Sequence, residues 1–552
     1  MHNSPPKNEF LSGVAALTVS TVIVKIIGLV YKIPMMHCLG AEGMGYFNSA
    51  YELYTLFFVI ATAGLPVAVS ILISESLAEG RPRNVKKIYK ISFALFFALG
   101  LVGALVLSLF SGAFARMIES PGAKLCIAFI APTVFFVSVA SAVRGYFQGN
   151  QNMVPTAVSQ VIEAVGKLLL GVLLAVWATR VGWPAERAAA LAVLGLVAGS
   201  AISMLYLLFK NRAQATAAFS VAEPMTDRTR HILRRLAALA IPVTLGASLS
   251  SLTRIVDMTL ILRHLGDAGC DGVSAVEAFG SYSTLAVPIY HLPSALIAGI
   301  GVSLVPTLTS AVADGARERQ EDLVGTAIRL CTFVSVPCAL GLTVFSQPIL
   351  SLLFAGEEEA IRLAAPLLAA LGISIPSACL LTVTTSVLQA HKKAFLPILS
   401  MLAGTAVKAI SGYILIGNPK IAMMGAPVST LLCNLTAVGL NLYLIGRCGA
   451  YSKRLLPDLV KPLLPTCISM ALALAVYFAL DARMSGTVVL LAALAVCGSV
   501  YLVASAKLRV LAEEDVAFLT KRNKKTRIYK GRKQYGTQSE DSGASRQGAV
   551  PF

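Results

Sequence analysis

Fourteen long apolar runs constrain what this chain can fold into. Each holds about twenty residues or more, the length that an α-helix needs to cross the hydrocarbon core of a bilayer. The runs lie at residues 10–33, 44–76, 91–115, 125–143, 154–179, 188–209, 236–263, 281–312, 329–354, 363–388, 396–416, 425–446, 462–480 and 486–506. Charged side chains make up only 13% of the 552 residues, against about 25% in soluble proteins. We therefore expect an all-α polytopic membrane protein with about 14 transmembrane helices.

Sequence motifs of enzymes and metal sites are missing. The ten cysteines are scattered singly and the six histidines are dispersed, so disulfides and zinc ligands are not expected. No phosphate-binding loop, metalloprotease helix or nucleophile elbow occurs. The loops between the runs are short, and the largest outer loop, at about 265–280, cannot house a catalytic domain. The sequence therefore predicts no metal site, no cofactor and no enzyme activity.

Basic residues concentrate in alternate loops. These loops hold Arg81, Arg83, Lys86, Lys87, Lys90, Lys210, Arg212, Arg228, Arg230, Arg234, Arg235, Lys392, Lys393, Lys453 and Arg454. The other loops carry acidic residues, namely Asp267, Asp271, Glu277 and the glutamates at 357–359. By the positive-inside rule, the basic loops and both termini face the cytoplasm. Since the first run lacks a signal-peptide cleavage site, we expect a short cytoplasmic N-terminus at 1–9 and a basic, disordered cytoplasmic tail at 507–552.

The two halves of the chain repeat each other. The echoes are "CLGAEG" (38–43) with "HLGDAG" (264–269), and the spacing of Gln148, Lys167 and Gly171 with that of Gln389, Lys408 and Gly412. A six-helix unit returns the chain to its starting side, so we expect two parallel six-helix lobes with a substrate site between them. The predicted domains are an N-lobe with its basic linker at 10–235, a C-lobe at 236–447 and two extra helices at 448–506.

Ionisable residues within the apolar runs mark the candidate site. Each costs about 2.5–3.5 kcal/mol at a helix centre, so it is expected to face a partner or water. The candidate cavity residues are Lys25, Lys32, Glu52, Arg144, Glu163, Lys167, Arg254, Asp257 and Lys408. Cations exceed carboxylates in this set. The excess favours a cargo that carries phosphate or diphosphate, because Arg binds such groups bidentately and Lys binds them as a point charge.

Spacing along the helices suggests how the charges are arranged. Lys25 and Arg254 lie at matching places on the first helix of each repeat, so we expect them to face each other across the lobe interface. Asp257 follows Arg254 by about one helical turn. It is therefore expected to hold Arg254 in the empty state.

Four other charges leave alternatives open. Glu163 and Lys167 are four residues apart in the orientation that suits a salt bridge. This pair either lines the cavity or locks the fifth helix to a neighbour. Lys32 and Arg144 lie near predicted helix ends, so each either lines the cavity or extends to the membrane surface.

Three stretches carry a family resemblance. They are "KIIGLVYKIPMMHCLGAEGMGYFNSAYELYTLF", "ATAGLPVAVSILISE" and "RGYFQGNQNMVPTAVSQVIE". They resemble the polysaccharide-transporter branch of the multidrug/oligosaccharidyl-lipid/polysaccharide (MOP) exporter superfamily, and within it the stage V sporulation protein B group and the Gram-positive lipid II flippases. The resemblance implies two lobes like those of multidrug exporters (MATE-like), two C-terminal helices and alternating access. It also implies export of an undecaprenyl-diphosphate-linked saccharide from the inner to the outer leaflet.

The resemblance extends to some site residues and fails at others. The flippases carry a basic residue on helix one before a Leu/Gly step, and Lys25 before Gly28 is similar, with Lys in place of Arg. Lys32 resembles a second basic residue of those flippases. The acid near the start of helix two and the Arg near its end are absent, and Glu52 lies elsewhere. The resemblance therefore does not specify lipid II as the cargo.

Three functions compete at this point. The first is a flippase of the bacterial cytoplasmic membrane for lipid II or a related cell-envelope precursor. Its partners are the lipid-linked oligosaccharide and the bilayer, with Na⁺ or H⁺ as a candidate coupling ion and no nucleic acid. The second is a drug or cation antiporter of the same superfamily, which a net-cationic cavity disfavours. The third is a membrane glycosyltransferase or polymerase, which the short outer loops disfavour.

Overall fold

Helices account for nearly all of the described chain. The computed structural model describes residues 7–215, 227–268, 274–448, 455–481 and 486–510. The helices are α1 (Lys7–Thr62), α2 (Leu65–Ala78), α3 (Pro82–Leu109), α4 (Ser111–Met117), α5 (Lys124–Gly149), α6 (Val154–Arg180), α7 (Ala185–Ala215), α8 (Thr229–Ala268), α9 (Ala275–Ser281), α10 (Val287–Ala313), α11 (Arg317–Val344), α12 (Ser346–Leu353), α13 (Glu358–Ala390), α14 (Leu396–Ile416), α15 (Gly425–Arg447), α16 (Leu455–Val460), α17 (Leu463–Asp481) and α18 (Gly486–Lys507). No β-strand occurs among these residues, so the all-α prediction is confirmed.

Thirteen helical stretches of the described chain are long and apolar enough to cross a membrane. The first of them, Val19–Ala78, spans 60 residues, or about 90 Å of helix, whereas one crossing needs about 30 Å. Gly40 divides this stretch, because its φ of 65° bends the helix. Two crossings in this stretch bring the total to the predicted fourteen.

The connection between the first two crossings differs from the prediction. The sequence predicts a loop at 34–43, but α1 runs from Lys7 to Thr62 with a kink at Gly40. Positive φ suits glycine, which has no Cβ to clash with the neighbouring carbonyl. The flanking residues keep helical geometry, and Met35, Met36 and Met44 are fully buried. Packing on both sides of the kink therefore keeps the segment helical.

The helices form two lobes that repeat each other. Helices α1 to α7 pack mainly among themselves, and so do α10 to α15, while α8 and α9 contact helices of both groups. In the N-lobe, Gly171 of α6 packs against Tyr31 of α1, and in the C-lobe Gly412 of α14 packs against Leu260 of α8. The corresponding glycines thus face the first helix of their own lobe, which agrees with the repeat. The boundaries at 235/236 and 447/448 stay predictions.

Helices α17 and α18 lie outside both lobes. They pack against α11 and α12, where Phe345 contacts a cluster formed by Met470, Ala473, Leu490 and Ala493. The Tyr501 hydroxyl of α18 donates to the Phe333 carbonyl of α11 at 2.7 Å. The two extra helices are therefore attached to the C-lobe. The predicted terminal segments fall outside the described residues, apart from 7–9 and 507–510.

The lobes are closed against each other on one face, here called the Gly40 face (residues 38–45, 274–280 and 355–359). A Cβ at Gly280 of α9 would overlap the Ala41 carbonyl of α1, so the two backbones are in direct contact. His37 adds a hydrogen bond from its ring to the Ala355 carbonyl at 2.8 Å. These contacts leave no room for a passage between α1 and α9.

The opposite face, here called the basic face (residues 79–87, 227–235 and 391–395), is closed along one seam. There α2 lies against α8, where a Cβ at Gly64 would overlap the Ala240 carbonyl. Arg235 of α8 pairs with Glu75 of α2 at 2.6 Å. Between α1 and α10, by contrast, a groove separates the two helices. The two lobes are therefore separated by an open groove along α1 and α10.

Candidate functional site

An inner cavity of about 270 Å³ lies within the C-lobe and is capped by the N-lobe. Its walls come from α8, α9, α10, α13, α14, α15 and the segment between α9 and α10, while α1 contributes Glu52. The charged residues in the walls are Glu52, Arg254, Asp257 and Lys408. Four residues that the sequence predicted as cavity residues therefore line one space.

An outer groove of about 450 Å³ adjoins this cavity between α1 and α10. Lys25 and Gly28 form its α1 wall, and Pro288 and Leu292 belong to its α10 wall. His291, Ser294 and Thr382 line both spaces, so the groove leads into the inner cavity. Lys25 is exposed and has no ion-pair partner within the described chain. It is the first cation that a molecule entering through the groove meets.

Arg254 pairs across the two lobes. Its Nε donates to the Glu52 carboxylate of α1 at 2.8 Å, and its Nη2 donates to Ser251 at 3.1 Å. The prediction that Asp257 holds Arg254 is therefore wrong. Asp257 follows Arg254 on the same helix, but a cation from α14 occupies its carboxylate instead.

That cation is Lys408. Its ammonium lies 2.5 Å from the Asp257 carboxylate, and its side chain is only 4% exposed. Both residues belong to the C-lobe, so this pair does not link the lobes. The other carboxylate oxygen of Asp257 has no hydrogen-bond partner among the described residues.

Two N-lobe side chains reach a distorted segment of the C-lobe. Residues Tyr282–Ala286, between α9 and α10, form a π-helix, a feature frequent at functional sites. Lys32 donates to the Ser283 carbonyl at 2.7 Å. Asn48 donates to the hydroxyls of Ser283 and Thr284 at 2.9 and 2.7 Å. Lys32 therefore points into the lobe interface and does not extend to the membrane surface.

Arg144 and Glu163 form a pair inside the N-lobe. The guanidinium lies 2.9 Å from the Glu163 carboxylate and donates to Ser159 and Ser203 at 2.9 and 3.2 Å. Arg144 is buried, with 7% of its surface exposed, so it does not extend to the membrane surface. The predicted salt bridge between Glu163 and Lys167 is also wrong, because Arg144 satisfies the carboxylate from the neighbouring helix.

Lys167 lies between two aromatic rings instead. Its ammonium is 4.8 Å from the centroid of Tyr31 and 4.5 Å from that of Tyr51, within the range of a cation–π interaction. Lys167 corresponds to Lys408 in the repeat. Tyr31 lies nine residues before Gly40, and Asp257 lies nine before Gly266. The repeat therefore places Tyr31, a partner of Lys167, where Asp257, the partner of Lys408, lies in the other lobe. The two lobes thus hold equivalent lysines with different partners.

Aligning the two repeats at Gly40 and Gly266 corrects the predicted match between Lys25 and Arg254. Arg254 lies twelve residues before Gly266, and Gly28 lies twelve before Gly40. Lys25 is therefore displaced by about one helical turn from the place equivalent to Arg254. The two cations do not face each other directly, because Arg254 lines the inner cavity and Lys25 lines the outer groove.

Some residues of the site were missed by the sequence reasoning. His291 lines both spaces, and Tyr290, Asn434 and Ser283 line the inner cavity. Asn434 donates to the Tyr290 hydroxyl at 3.1 Å. The pair Tyr290–His291 interrupts an apolar run, which is a usable signal for His291. The uncharged residues give no comparable signal, because single polar residues occur in many of the runs.

The site as a whole has a positive charge. The cavity, the groove and the adjoining contact hold four cations (Lys25, Lys32, Arg254, Lys408) and two carboxylates (Glu52, Asp257). Four cations less two carboxylates leave a net charge of +2, with His291 counted as neutral. Both carboxylates are already paired, so the excess belongs to Lys25 and Lys32.

Known proteins similar to this chain include two from Bacillus subtilis (strain 168). Stage V sporulation protein B of Bacillus subtilis (strain 168) is 27% identical over 429 residues, which is 77% of this chain and 81% of the relative. Lipid II flippase MurJ of the same strain is 25% identical over 527 residues, or 90% of this chain and 94% of the relative. The solved structure "Lipid II flippase MurJ, inward closed conformation" aligns with a TM-score of 0.67 at 17% identity, covering 89% of this chain and 98% of that chain. The last likeness concerns the fold alone.

Two protein families match directly. The MatE family matches residues 242–414, which lie in the C-lobe. The polysaccharide biosynthesis protein family matches residues 10–312, more than half of the 552 residues. The chain is a multi-pass membrane protein that belongs to the polysaccharide biosynthesis protein family, in the polysaccharide-transporter branch of the MOP exporter superfamily.

Proposed function

We propose that this protein is a flippase for a lipid-linked saccharide whose linkage carries phosphate or diphosphate. The observation that carries the proposal is the cationic path from the groove between α1 and α10 into the inner cavity. The polar head group enters along this path while the lipid chain stays in the bilayer. The lobes then close on the basic face and open on the Gly40 face, which is alternating access. The name of one relative, lipid II flippase MurJ, supports the same class of cargo.

The charges of the site suit a diphosphate. Such a linkage is doubly anionic, and the net charge of +2 at the site compensates it. Lys25 meets the anion first, and Arg254 offers a planar guanidinium for bidentate binding. Because the side chain of Arg254 is 32% exposed, its remaining N–H groups are accessible from the cavity.

We infer that the basic face lies in the cytoplasm of a bacterial cell. The arginines and lysines of residues 79–90, 228–235 and 391–393 support this orientation. Transport then runs from the cytoplasmic to the outer leaflet. A coupling ion, Na⁺ or H⁺, stays a prediction, as does the identity of the saccharide.

The alternative functions have less support. A cationic drug needs a free carboxylate in the cavity, but Glu52 and Asp257 are each paired with a cation. A membrane glycosyltransferase needs a sizeable outer domain. Among the described residues, the connections between crossings on the Gly40 face are short, with the stretch 110–123 the longest.

Complementation tests the proposal. A bacterial host is depleted of its lipid II flippase, and survival is followed while this chain is expressed. We expect the wild type and Lys420→Ala to rescue growth, because Lys420 is exposed in the connection between α14 and α15 and lines neither the cavity nor the groove. We expect Arg254→Ala and Lys25→Ala to fail while reaching the membrane at wild-type levels.

Each result has a distinct meaning. Rescue by Arg254→Ala and Lys25→Ala would show that the cationic path is not the transport path. Failure of the wild type, with the protein detected in the membrane, would exclude lipid II as the cargo. In that case the same variants are compared in hosts that depend on other diphosphate-linked saccharides.

A further inference from the structure

The salt bridge between Glu52 and Arg254 joins the two lobes inside the candidate transport path. Glu52 belongs to α1 of the N-lobe and Arg254 to α8 of the C-lobe, and the two groups lie 2.8 Å apart. Both residues line the inner cavity. We propose that Glu52 occupies the anion position on Arg254 in the empty protein, that the phosphate of the cargo displaces it, and that this displacement releases the lobes from each other. The inference rests on the proposed function.

The geometry of Arg254 allows the phosphate to compete with Glu52 for the same N–H group. Its Nε is used by Glu52 and its Nη2 by Ser251. A phosphate that binds the guanidinium bidentately needs two neighbouring N–H groups, and any such pair that includes Nε takes the place of Glu52. The Glu52 side chain is 19% exposed, so the carboxylate reaches the water of the cavity once it is displaced.

The same displacement weakens a second link between the lobes. Lys32 donates to the Ser283 carbonyl of the π-helical segment, and it has no carboxylate partner among the described residues. A doubly anionic head group near Arg254 also attracts the ammonium of Lys32 away from this carbonyl. Of the described hydrogen bonds from the N-lobe to this segment, those of Asn48 then remain. Beyond this layer, the Gly40 face is closed by the backbone contacts of Ala41 with Gly280 and of Gly45 with Val276, and by the His37 hydrogen bond.

Asp257 provides a built-in comparison. Its carboxylate lines the same cavity and holds the cation Lys408, but both residues belong to the C-lobe. Removing the charge of Asp257 frees a cation for the cargo without breaking a link between the lobes. Removing the charge of Glu52 frees a cation and breaks the link. Removing either carboxylate charge is therefore predicted to raise the affinity for anions. Only the removal at Glu52 is predicted to open the lobes.

The test measures affinity and opening in the same purified protein in lipid nanodiscs. The probe is farnesyl diphosphate, and farnesol is the control without phosphate. Opening of the Gly40 face is followed as the distance between spin labels on Glu42→Cys and Glu359→Cys, two exposed positions on that face. The native cysteines are replaced beforehand. In the wild type we expect farnesyl diphosphate to lengthen this distance and farnesol to leave it unchanged.

Three variants give different expected patterns. Glu52→Gln is expected to bind farnesyl diphosphate roughly tenfold more tightly, which corresponds to the lower end of the free energy of a hydrogen bond to a charged group. It is also expected to show the long distance without probe. Asp257→Asn binds more tightly but keeps the short distance. Arg254→Gln breaks the same link from the other side, so it shows the long distance without probe and loses affinity. Because Arg254→Gln and Glu52→Gln move affinity in opposite directions, a common folding defect does not explain both.

The outcomes separate the two proposals. If the wild type binds the diphosphate but Glu52→Gln keeps the wild-type affinity and distance, the inference is wrong and the proposed function stands. If Asp257→Asn opens the Gly40 face as far as Glu52→Gln, the link between the lobes is not what controls opening. If the wild type neither binds the diphosphate nor responds to it, the proposed cargo class is refuted together with the inference.

Discussion

Arg144 and Glu163 illustrate, at the scale of the residue, how this chain keeps charges in a lobe away from lipid. Arg144 is buried and Glu163 is half-buried where α5 meets α6, and Ser159 and Ser203 satisfy further N–H groups of the guanidinium. Neither residue is among those lining the inner cavity or the outer groove. Their place in the fold therefore favours the structural alternative over a contact with the cargo.

A pair of variants separates these alternatives. Arg144→Ala leaves the Glu163 charge without its partner, which costs about 3–5 kcal/mol for a buried pair. We expect a lowered melting temperature in detergent and reduced protein in the membrane. The double change Arg144→Met with Glu163→Leu removes both charges and is expected to recover most of the stability and the complementation. A stable double variant that fails to complement would place the pair in the transport path.

Spacing in the sequence identified the charged positions but not their partners. Glu163 and Lys167 are close on one helix, yet Arg144 from α5 takes the carboxylate. Partners on neighbouring helices compete with partners on the same helix. Here Arg144 is favoured because its guanidinium also donates to the hydroxyl groups of Ser159 and Ser203. The partner of Arg254 lies 202 residues away in the sequence. Such a contact depends on how the lobes are docked, which local spacing does not specify.

At the scale of the element, apolar run length predicted the crossings well because the bilayer imposes a minimum helix length. The turns between crossings were less predictable. The residues around Gly40 look like a loop in sequence, but only Gly40 leaves helical geometry. The same segment then forms the tight contact with α9. Small residues at positions 41, 45 and 280 allow the two backbones to meet, and their role was not evident without the partner helix.

Closure of the Gly40 face depends on this contact and is testable at Gly280. A methyl group there would overlap the Ala41 carbonyl, so Gly280→Ala is expected to keep the Gly40 face from closing and to abolish complementation. Gly299→Ala is the matched control, because a Cβ at Gly299 of α10 has no heavy atom within 4 Å. The measurement is labelling of Cys38, half-buried near the kink, with a membrane-impermeant maleimide. Faster labelling in Gly280→Ala only is the expected result, and equal labelling in both variants would contradict the closing role.

At the scale of the whole molecule, the two seams between the lobes are unequal. The seam of α2 with α8 is closed, with backbone contact at Gly64 and the pair Arg235–Glu75 near the basic face. The seam of α1 with α10 holds the groove that leads to the inner cavity. A soluble cargo has no need of an opening toward the side of the protein. A lipid-linked cargo needs one, because its hydrocarbon chain is best kept in the bilayer while the head group crosses.

Entry from the side predicts that blocking the groove stops transport. Leu292 lines the groove and is 41% exposed, whereas Leu105 of α3 is 49% exposed on a surface outside the groove. In a background without native cysteines, we expect a bulky maleimide on Leu292→Cys to abolish flipping in proteoliposomes. The same reagent on Leu105→Cys is expected to leave the rate close to that of the unlabelled protein. If fully labelled Leu292→Cys still flips the cargo, the head group enters by another route, and the closed seam of α2 with α8 would have to open during the cycle.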